Sequence, residues 1–178
     1  MLNFIVCIAA YTKPTPGVNS PLGFFDPLKF SSKVSEGRFK FYQEAEIKHG
    51  RVAMLASIGF PVAEQYHPLW GGNNDAPSYI SFQASPLQTF WLDVLLLIAI
   101  FEVFSIFTFN SPFEGYEPWT IKDVHEPGNF NFDPLNLKPA GDDNYVNMKS
   151  KEINNGRLAM GAIVVMVLQE LITGNKLF

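Results

Sequence analysis

Two stretches of the chain set an acid, a metal-ligating side chain and an arginine at the same spacing. Glu46–Met54 (EIKHGRVAM) returns 106 positions later as Glu152–Met160 (EINNGRLAM). The corresponding residues are Glu46 and Glu152, His49 and Asn155, and Arg51 and Arg157. Carboxylate, amide and imidazole groups are metal ligands, and a guanidinium neutralises a carboxylate. Two copies at so long a period indicate an internal duplication and not a solenoid.

The acid and the arginine of one copy cannot easily pair with each other. Residues five apart on a helix lie about 140° apart around its surface. If the two helices run side by side and parallel about a pseudo-twofold axis, Glu46 meets Arg157 and Glu152 meets Arg51. A role limited to locking two helices together stays open at this point.

Three apolar stretches surround this duplication. Phe90 to Phe109 is a run of 20 residues in which only Asp93 and Glu102 are charged, long enough to cross a hydrocarbon core of about 30 Å. The two repeat helices are also largely apolar. We expect one domain over residues 1–178, an all-α membrane protein with an N-terminal tail over 1–22 and transmembrane helices over 41–65, 87–109 and 148–173. The first and third helices are expected to cross, related by the pseudo-twofold axis.

The composition excludes some classes of protein. The formal charge is −4 without a basic cluster, so nucleic acid is not an expected partner. A single cysteine, Cys7, excludes an intrachain disulfide framework. The apolar stretch Leu2 to Ala10 is too short to span a membrane, and whether it is a targeting remnant or an ordinary tail stays open.

The surroundings of the repeated acids favour a flat ligand. Small residues flank them, among them Gly50 and Ala53 in one copy and Gly156 and Ala159 in the other, although such residues also serve plain helix packing in membranes. Carboxylate, amide oxygen and imidazole each supply one axial ligand to a magnesium whose other sites are filled by a chlorophyll ring. Gln169 adds a further donor near the end of the third helix.

A second repeated motif precedes each helix. Phe25-Asp26-Pro27-Leu28 corresponds to Phe132-Asp133-Pro134-Leu135. Together with the duplicated Glu-x-x-[His/Asn]-x-Arg-x-Ala-Met, these loops resemble the light-harvesting complex superfamily, the chlorophyll-binding antenna proteins of photosynthetic eukaryotes. The resemblance covers about Gly23 to Gly174. It is nearer to the chlorophyll a/c, fucoxanthin-type branch than to the chlorophyll a/b branch.

The resemblance implies specific roles for matching residues. Chlorophyll magnesium ligands are implied at six positions: Glu46, His49, Glu102, Glu152, Asn155 and Gln169. Arg51 and Arg157 are implied to support the glutamate ligands as ion-pair partners. The loops Phe25-Asp26-Pro27 and Phe132-Asp133-Pro134 are implied to hold the ends of two carotenoids, although a turn with a packed phenylalanine fits the same residues. For His67, Gln83 and His125 a solvated or loop-fixing role is favoured.

The implied function is an antenna and not an enzyme. Its pigments would be chlorophyll a, chlorophyll c and fucoxanthin or a related xanthophyll, with diadinoxanthin as a further candidate. The implied setting is the plastid thylakoid membrane, among its lipids, beside the core of photosystem I or II and neighbouring antenna subunits. A photoprotective member of the same family is the alternative.

Two other classes fit the residues less well. Glu46-x-x-His49 is the ligand spacing of a ferritin-like di-metal oxidoreductase, but the second copy lacks the histidine. A transporter or proton channel would use intramembrane charges, but three spans with mutually neutralised charges offer no obvious pathway.

Overall fold

A computed structural model describes residues 16–18, 23–65, 76–84, 87–111, 113, 115–139 and 141–177. Three long helices carry this part of the chain: α1 is Glu36–Gln65, α2 is Leu87–Ile106 and α3 is Asp142–Thr173. A 3-10 turn at Ser31–Lys33 and a short helix at Ser81–Ala84 complete the helical elements described. Over the same residues there is no strand, only an isolated bridge between Phe109 and Ile121. The all-α prediction is therefore confirmed.

The helices differ from the predicted spans at one end each. α1 begins at Glu36 instead of residue 41, and α3 begins at Asp142 instead of residue 148. The predicted starts followed the apolar residues, whereas acidic first turns, Glu36 in α1 and Asp142 with Asp143 in α3, complement the positive end of the helix dipole. Polar sequence therefore extends both helices towards their N-termini.

α2 ends at Ile106 instead of residue 109. The backbone turns there, with the Thr108 amide donating to the Ser105 carbonyl, so that the Asn110 amide donates to the Thr120 carbonyl at 2.9 Å. A contact with residues ten positions further along thus replaces the last helical turn that the apolar pattern predicted. The predicted tail over 1–22 lies outside the described residues except for 16–18.

One candidate membrane span is present in the described part of the chain. α3 is long and apolar enough to cross a bilayer, and its best 18-residue window has a mean hydropathy of 1.5 with 17% of the window buried. The three-span arrangement and the pseudo-twofold axis remain predictions.

The chain divides into two compact units. The first contains the described residues up to Lys48 together with Phe109–Asn155, and the second contains those of His49–Thr108 and those from Gly156 onwards. Each unit is described separately below.

In the first unit, the segment that follows α2 lies along the start of α1. The Ile121 amide donates to the Gly37 carbonyl at 3.1 Å, and Ile121 is completely buried. A Cβ atom at Gly37 would lie 3.1 Å from the Ile121 carbonyl oxygen, so glycine permits this approach. The ring of Phe41 lies 5.9 Å from the rings of both Phe109 and Trp119. These contacts fix the connecting segment on α1.

In the second unit, α3 ends as its sequence predicts. Gly174 follows the last helical residue, Thr173, with a φ of 65°, and its amide donates to the Glu170 carbonyl at 2.8 Å. Glycine adopts this left-handed conformation without steric cost. The predicted glycine C-cap is therefore confirmed.

Candidate functional site

The two copies of the helix motif have the same pattern of exposure. In each copy the residues one, four and seven positions after the glutamate are buried: Ile47, Gly50 and Ala53, and Ile153, Gly156 and Ala159. Positions three apart fall on one side of a helix. The duplication in sequence is therefore also a duplication in packing.

Gly50 and Gly156 bring α1 and α3 into backbone contact within the second unit. A Cβ atom at Gly156 would lie 2.9 Å from Gly50 Cα, and one at Gly50 would lie 3.1 Å from Gly156 Cα. These two glycines occupy equivalent positions in the duplication. Contact between a residue and its own equivalent is what a twofold axis between the helices requires.

The predicted ligands in the motif also have matching exposure. Glu46 and Glu152 are half-buried, whereas His49 and Asn155 are exposed one turn further along. Each copy thus has a partly covered carboxylate beside an accessible donor on a surface of small side chains. This arrangement fits a flat metal-containing ring that needs one axial ligand from the protein.

The arginines of the two motifs lie two positions after His49 and Asn155. Arg51 is half-buried and Arg157 is exposed. The pairs Glu46 with Arg157 and Glu152 with Arg51 stay predictions, as do the ligand roles.

The other two predicted ligands lie on exposed surfaces. Glu102 is on α2, where its carboxylate accepts a hydrogen bond from Ser105 Oγ at 3.0 Å. Gln169 is exposed near the end of α3. Each of these two side chains is a single potential metal ligand on an apolar helix.

The two Phe-Asp-Pro-Leu loops have one hydrogen-bond pattern. Asp26 accepts from the amides of Phe30 at 3.0 Å and Ser31 at 2.8 Å. Asp133 accepts from the amides of Leu137 at 3.0 Å and Lys138 at 2.9 Å. In both loops the residue three after the aspartate has a left-handed backbone: Lys29 at φ 55° and Asn136 at φ 50°. The loops are therefore the same structure built twice.

These hydrogen bonds shift the acidity of both aspartates. The Ser31 side chain and amide lower the pKa of Asp26 below its usual value, and the Lys138 and Leu137 amides do the same for the pKa of Asp133. A carboxylate that accepts several donors is stabilised in its charged form. Both loops are held by ionised aspartates at neutral pH.

The apolar residues of these loops are left uncovered. Phe25 is 68% exposed and Phe132 is 86% exposed, and the leucines that follow, Leu28 and Leu135, are 72% and 75% exposed. The turn-with-packed-phenylalanine interpretation therefore does not describe these loops within the chain itself. The rings of Phe25 and Phe132 are available to an apolar partner.

Two clusters that the sequence interpretation missed involve buried glutamates. In the first unit, Glu44 is 3% exposed, and its Oε2 accepts from the Gly128 amide at 2.6 Å and lies 3.3 Å from His125 Nε2. The separation of 81 residues explains why no local pattern indicated this contact.

The second cluster lies at the end of α1 and α3, in the second unit. Glu170 is completely buried, accepts from the amides of Ser78 and Tyr79 at 3.2 Å each, and is hydrogen-bonded to Glu64. Two carboxyl groups in a hydrogen bond share a proton. The signal was present in the sequence, because the offset of 106 that relates the helix motifs also relates Glu64 to Glu170.

The donor set fits a tetrapyrrole better than a bare metal ion. The described residues contain no group of three or more His, Cys, Asp or Glu side chains close enough to hold a metal ion. A di-metal carboxylate centre needs several such ligands together, whereas a chlorophyll ring supplies four nitrogen ligands itself. Single, separated metal ligands on apolar helices are what a chlorophyll requires.

Comparison with known proteins agrees with this chemistry. Residues 12–171 match the family model described as chlorophyll A-B binding protein. The chain is 41% identical over 177 residues to light-harvesting complex stress-related protein 3.2, chloroplastic, of Chlamydomonas reinhardtii, covering 96% of this chain and 68% of that protein. It is 37% identical to fucoxanthin-chlorophyll a-c binding protein, chloroplastic, of Isochrysis galbana, covering 90% of this chain and 77% of that protein.

A shorter match involves another pigment protein. Caroteno-chlorophyll a-c-binding protein of Amphidinium carterae is 54% identical over 48 residues, which are 27% of this chain and 47% of that protein.

The family match defines the class of this protein, a chlorophyll-binding antenna, and the family is a non-enzymatic one. The chain belongs to the chlorophyll a-b binding protein family, and its function is light harvesting with bound chlorophyll.

Proposed function

We propose that this protein is a three-span antenna of the plastid thylakoid membrane that binds chlorophyll a, chlorophyll c and a fucoxanthin-type xanthophyll, with diadinoxanthin as a further candidate. It passes excitation to the core of photosystem I or II, directly or through neighbouring antenna subunits. The names of the fucoxanthin-chlorophyll and caroteno-chlorophyll a-c relatives support these pigments, and the names of the chloroplastic relatives support the compartment.

The exposed apolar surface of the helices supports three spans. On α2, Leu92 is 69% exposed and Phe101 is 68% exposed. On α1, Leu55 is 76% exposed, and on α3, Leu158 is 75% exposed. Apolar side chains exposed on all three long helices are disfavoured in water but suited to lipid and pigment. Because one span separates α1 from α3, these two helices run in the same direction across the bilayer.

Within this arrangement Glu46 and Glu152 ligate chlorophyll magnesium, and Arg157 and Arg51 neutralise them. A ligating carboxylate keeps a negative charge, which is costly in a low-dielectric medium unless a cation lies nearby. At an effective dielectric constant of 20, a pair at 4 Å is worth about 4 kcal/mol before desolvation. His49, Glu102, Asn155 and Gln169 each supply an axial ligand to a further chlorophyll.

The two Phe-Asp-Pro-Leu loops hold the ends of two carotenoids. Each aspartate fixes its loop through two backbone amides, as described above, and this positions the exposed Phe25 and Phe132 rings for contact with a polyene end. Pro27 and Pro134 follow the aspartates and restrict the backbone at the turn. The loops therefore serve as rigid apolar contacts and not as covers for the core.

The chain acts by placing pigments and makes or breaks no bond. Bound chlorophyll and carotenoid supply light absorption and excitation transfer, the usual division of labour between a cofactor and its protein. The helix motifs fix the positions of the rings, and the apolar surroundings exclude water. The contact between Gly50 and Gly156 carries this proposal, because it holds the two copies of the ligand motif at a fixed separation.

Reconstitution of the unpigmented chain with defined pigments tests the proposal. We expect bound chlorophyll a and c and a xanthophyll, with light absorbed by chlorophyll c and xanthophyll exciting chlorophyll a fluorescence. A folded protein that binds no pigment, or bound pigments whose excitation fails to reach chlorophyll a, would contradict the proposal.

A photoprotective role is the second candidate, because the 41% identical relative is named stress-related. The two roles differ in the fate of excitation on the isolated protein. A chlorophyll fluorescence lifetime of several nanoseconds that is unchanged by acidification supports harvesting. A lifetime shortened severalfold at acidic pH supports dissipation.

A further inference from the structure

A cavity of about 490 Å³ in the first unit is lined by four side chains of types that ligate metals, Glu46, Asp123, His125 and Glu126. Glu46 on α1 and His125 on the segment before the second Phe-Asp-Pro-Leu loop both line it. The rest of the wall combines apolar residues, Ile47, Val124, Pro127, Val146 and Ile153, with the charged residues Lys40, Asp123, Glu126 and Lys149. The sequence interpretation gave His125 a solvated or loop-fixing role, but its side chain is only 12% exposed.

The contacts of His125 fix its orientation. Its Nε2 lies 3.3 Å from Glu44 Oε2, and the Glu44 side chain is 4% exposed. Because the same Glu44 oxygen accepts from the Gly128 amide, we take it as the acceptor towards His125 as well, so that Nε2 carries the proton and donates. The Phe130 ring, 5.7 Å away between centroids, packs against the imidazole. In the neutral ring the lone pair is then on Nδ1.

The Gly128 amide makes the acceptor itself rigid. It donates to the same Glu44 oxygen at 2.6 Å, so Glu44 ties both His125 and the following turn to α1. Metal-ligating histidines typically donate their second ring N–H to a carboxylate, which fixes the tautomer and raises the basicity of the ligand nitrogen. Glu44 and His125 have this arrangement.

We infer that His125 is the axial ligand, through Nδ1, of a further chlorophyll held at this cavity, and that Glu44 is its positioning residue. The inference rests on the proposed function and adds a pigment site on a connecting segment to those on the helices. Magnesium in a chlorophyll accepts a nitrogen ligand and needs only one from the protein. The apolar part of the wall suits the face of a macrocycle, its charged residues suit the polar groups at the ring edge, and the described residues include no group of three ligands close enough to hold a bare ion.

Phenylalanine and glutamine at position 125 separate ligation from packing. H125F keeps a ring of similar shape without a nitrogen, and H125Q keeps a neutral axial donor. After reconstitution with purified chlorophylls and xanthophyll, we expect H125F to bind one chlorophyll fewer per chain than the wild type, and H125Q to retain it. Equal chlorophyll content in H125F and the wild type would overturn the inference.

A double variant shows whether Glu46 and His125 hold separate pigments. E46A with H125F should lose one chlorophyll more than either single variant. If the double variant loses no more than the single variants, both side chains serve one pigment and the further site does not exist. A wild type that binds no chlorophyll would instead refute the proposed function.

A glycine variant provides a check that does not depend on whether H125F folds. With H125G, added imidazole should restore the missing chlorophyll, whereas thermal unfolding of the unpigmented chain should be the same with and without imidazole. Failure of imidazole to restore the pigment in a folded H125G would count against ligation.

E44Q removes the negative charge behind the imidazole, and we expect it to shift the absorption band of this chlorophyll without changing the chlorophyll count. An unshifted band would remove Glu44 from the inference.

Discussion

Gly50 and Gly156 are equivalent residues of a duplicated motif and touch each other through their backbones. The distance of 2.9 Å from a Cβ atom placed on Gly156 to Gly50 Cα is shorter than such contacts permit, and the obstructing atom belongs to backbone. No side-chain rotation relieves that clash, so α1 and α3 would have to move apart. The separation of α1 and α3 at this contact therefore depends on the absence of a Cβ atom at both positions.

G156A is therefore expected to destabilise the protein by about 1 to 3 kcal/mol, the usual range for overpacking. Thermal unfolding of the reconstituted protein, followed by circular dichroism, measures this. G161A is the matched control on the same helix, because a Cβ atom there meets nothing within 4 Å, and alanine favours helix by up to about 1 kcal/mol. Equal losses of stability in G156A and G161A would show that the contact between Gly50 and Gly156 does not determine how closely the helices pack.

R157L tests the shared role of the arginines. We expect a severalfold lower yield of pigmented protein and loss of the chlorophyll at Glu46, because the ligand carboxylate loses its compensating charge. Pigment stoichiometry after reconstitution is the measurement. K151L, also exposed on α3, controls for the loss of a positive charge. Full pigment content in R157L would refute the pairing of Glu46 with Arg157.

The backbone amides that donate to Asp133 should lose their protection against hydrogen exchange at acidic pH. The pKa of Asp133 is below its usual value of 3.8, chiefly through hydrogen bonds from the Lys138 and Leu137 amides. A lowered native pKa means that the stabilisation is complete above the unfolded pKa and is lost as pH falls through the native pKa. Hydrogen-exchange protection of the Leu137 and Lys138 amides, corrected for intrinsic rates, should therefore decrease as the pH falls through the native pKa of Asp133.

D133A is expected to abolish this protection already at neutral pH, since no acceptor remains. D143A is the control, because Asp143 is exposed in the first turn of α3. Unchanged protection in D133A would mean that the aspartate does not hold the loop.

E170A should cost about 1 to 3 kcal/mol of unfolding free energy, because the Ser78 and Tyr79 amides lose a buried acceptor. E170Q should cost less than E170A, since its amide oxygen still accepts from one of the two backbone amides, whereas its NH₂ group replaces the oxygen that accepted from the other. Chemical denaturation of the unpigmented chain compares the two. If glutamine is as harmful as alanine, one remaining acceptor oxygen at position 170 does not stabilise this cluster.

Local sequence patterns predicted much of the fold, whereas the ligand roles of the site residues stay predictions. The apolar runs predicted three long helices, and Gly174 predicted the end of α3, because these features depend on neighbouring residues. The repeated Phe-Asp-Pro-Leu predicted two equivalent loops, which the matching hydrogen bonds of Asp26 and Asp133 confirm. The helix starts were placed too late because a polar first turn adds no apolar signal.

The sequence by itself determined the duplication, the helices and the types of donor, because each is encoded in residues close together along the chain. Only the tertiary structure decided which distant groups meet. Glu44 and His125 are 81 positions apart, and no helical or turn periodicity extends over that distance. Burial removes the Glu44 carboxylate from water, and its Oε2 accepts from the Gly128 amide and lies 3.3 Å from His125 Nε2, whereas its Oε1 has no hydrogen-bond partner among the described residues.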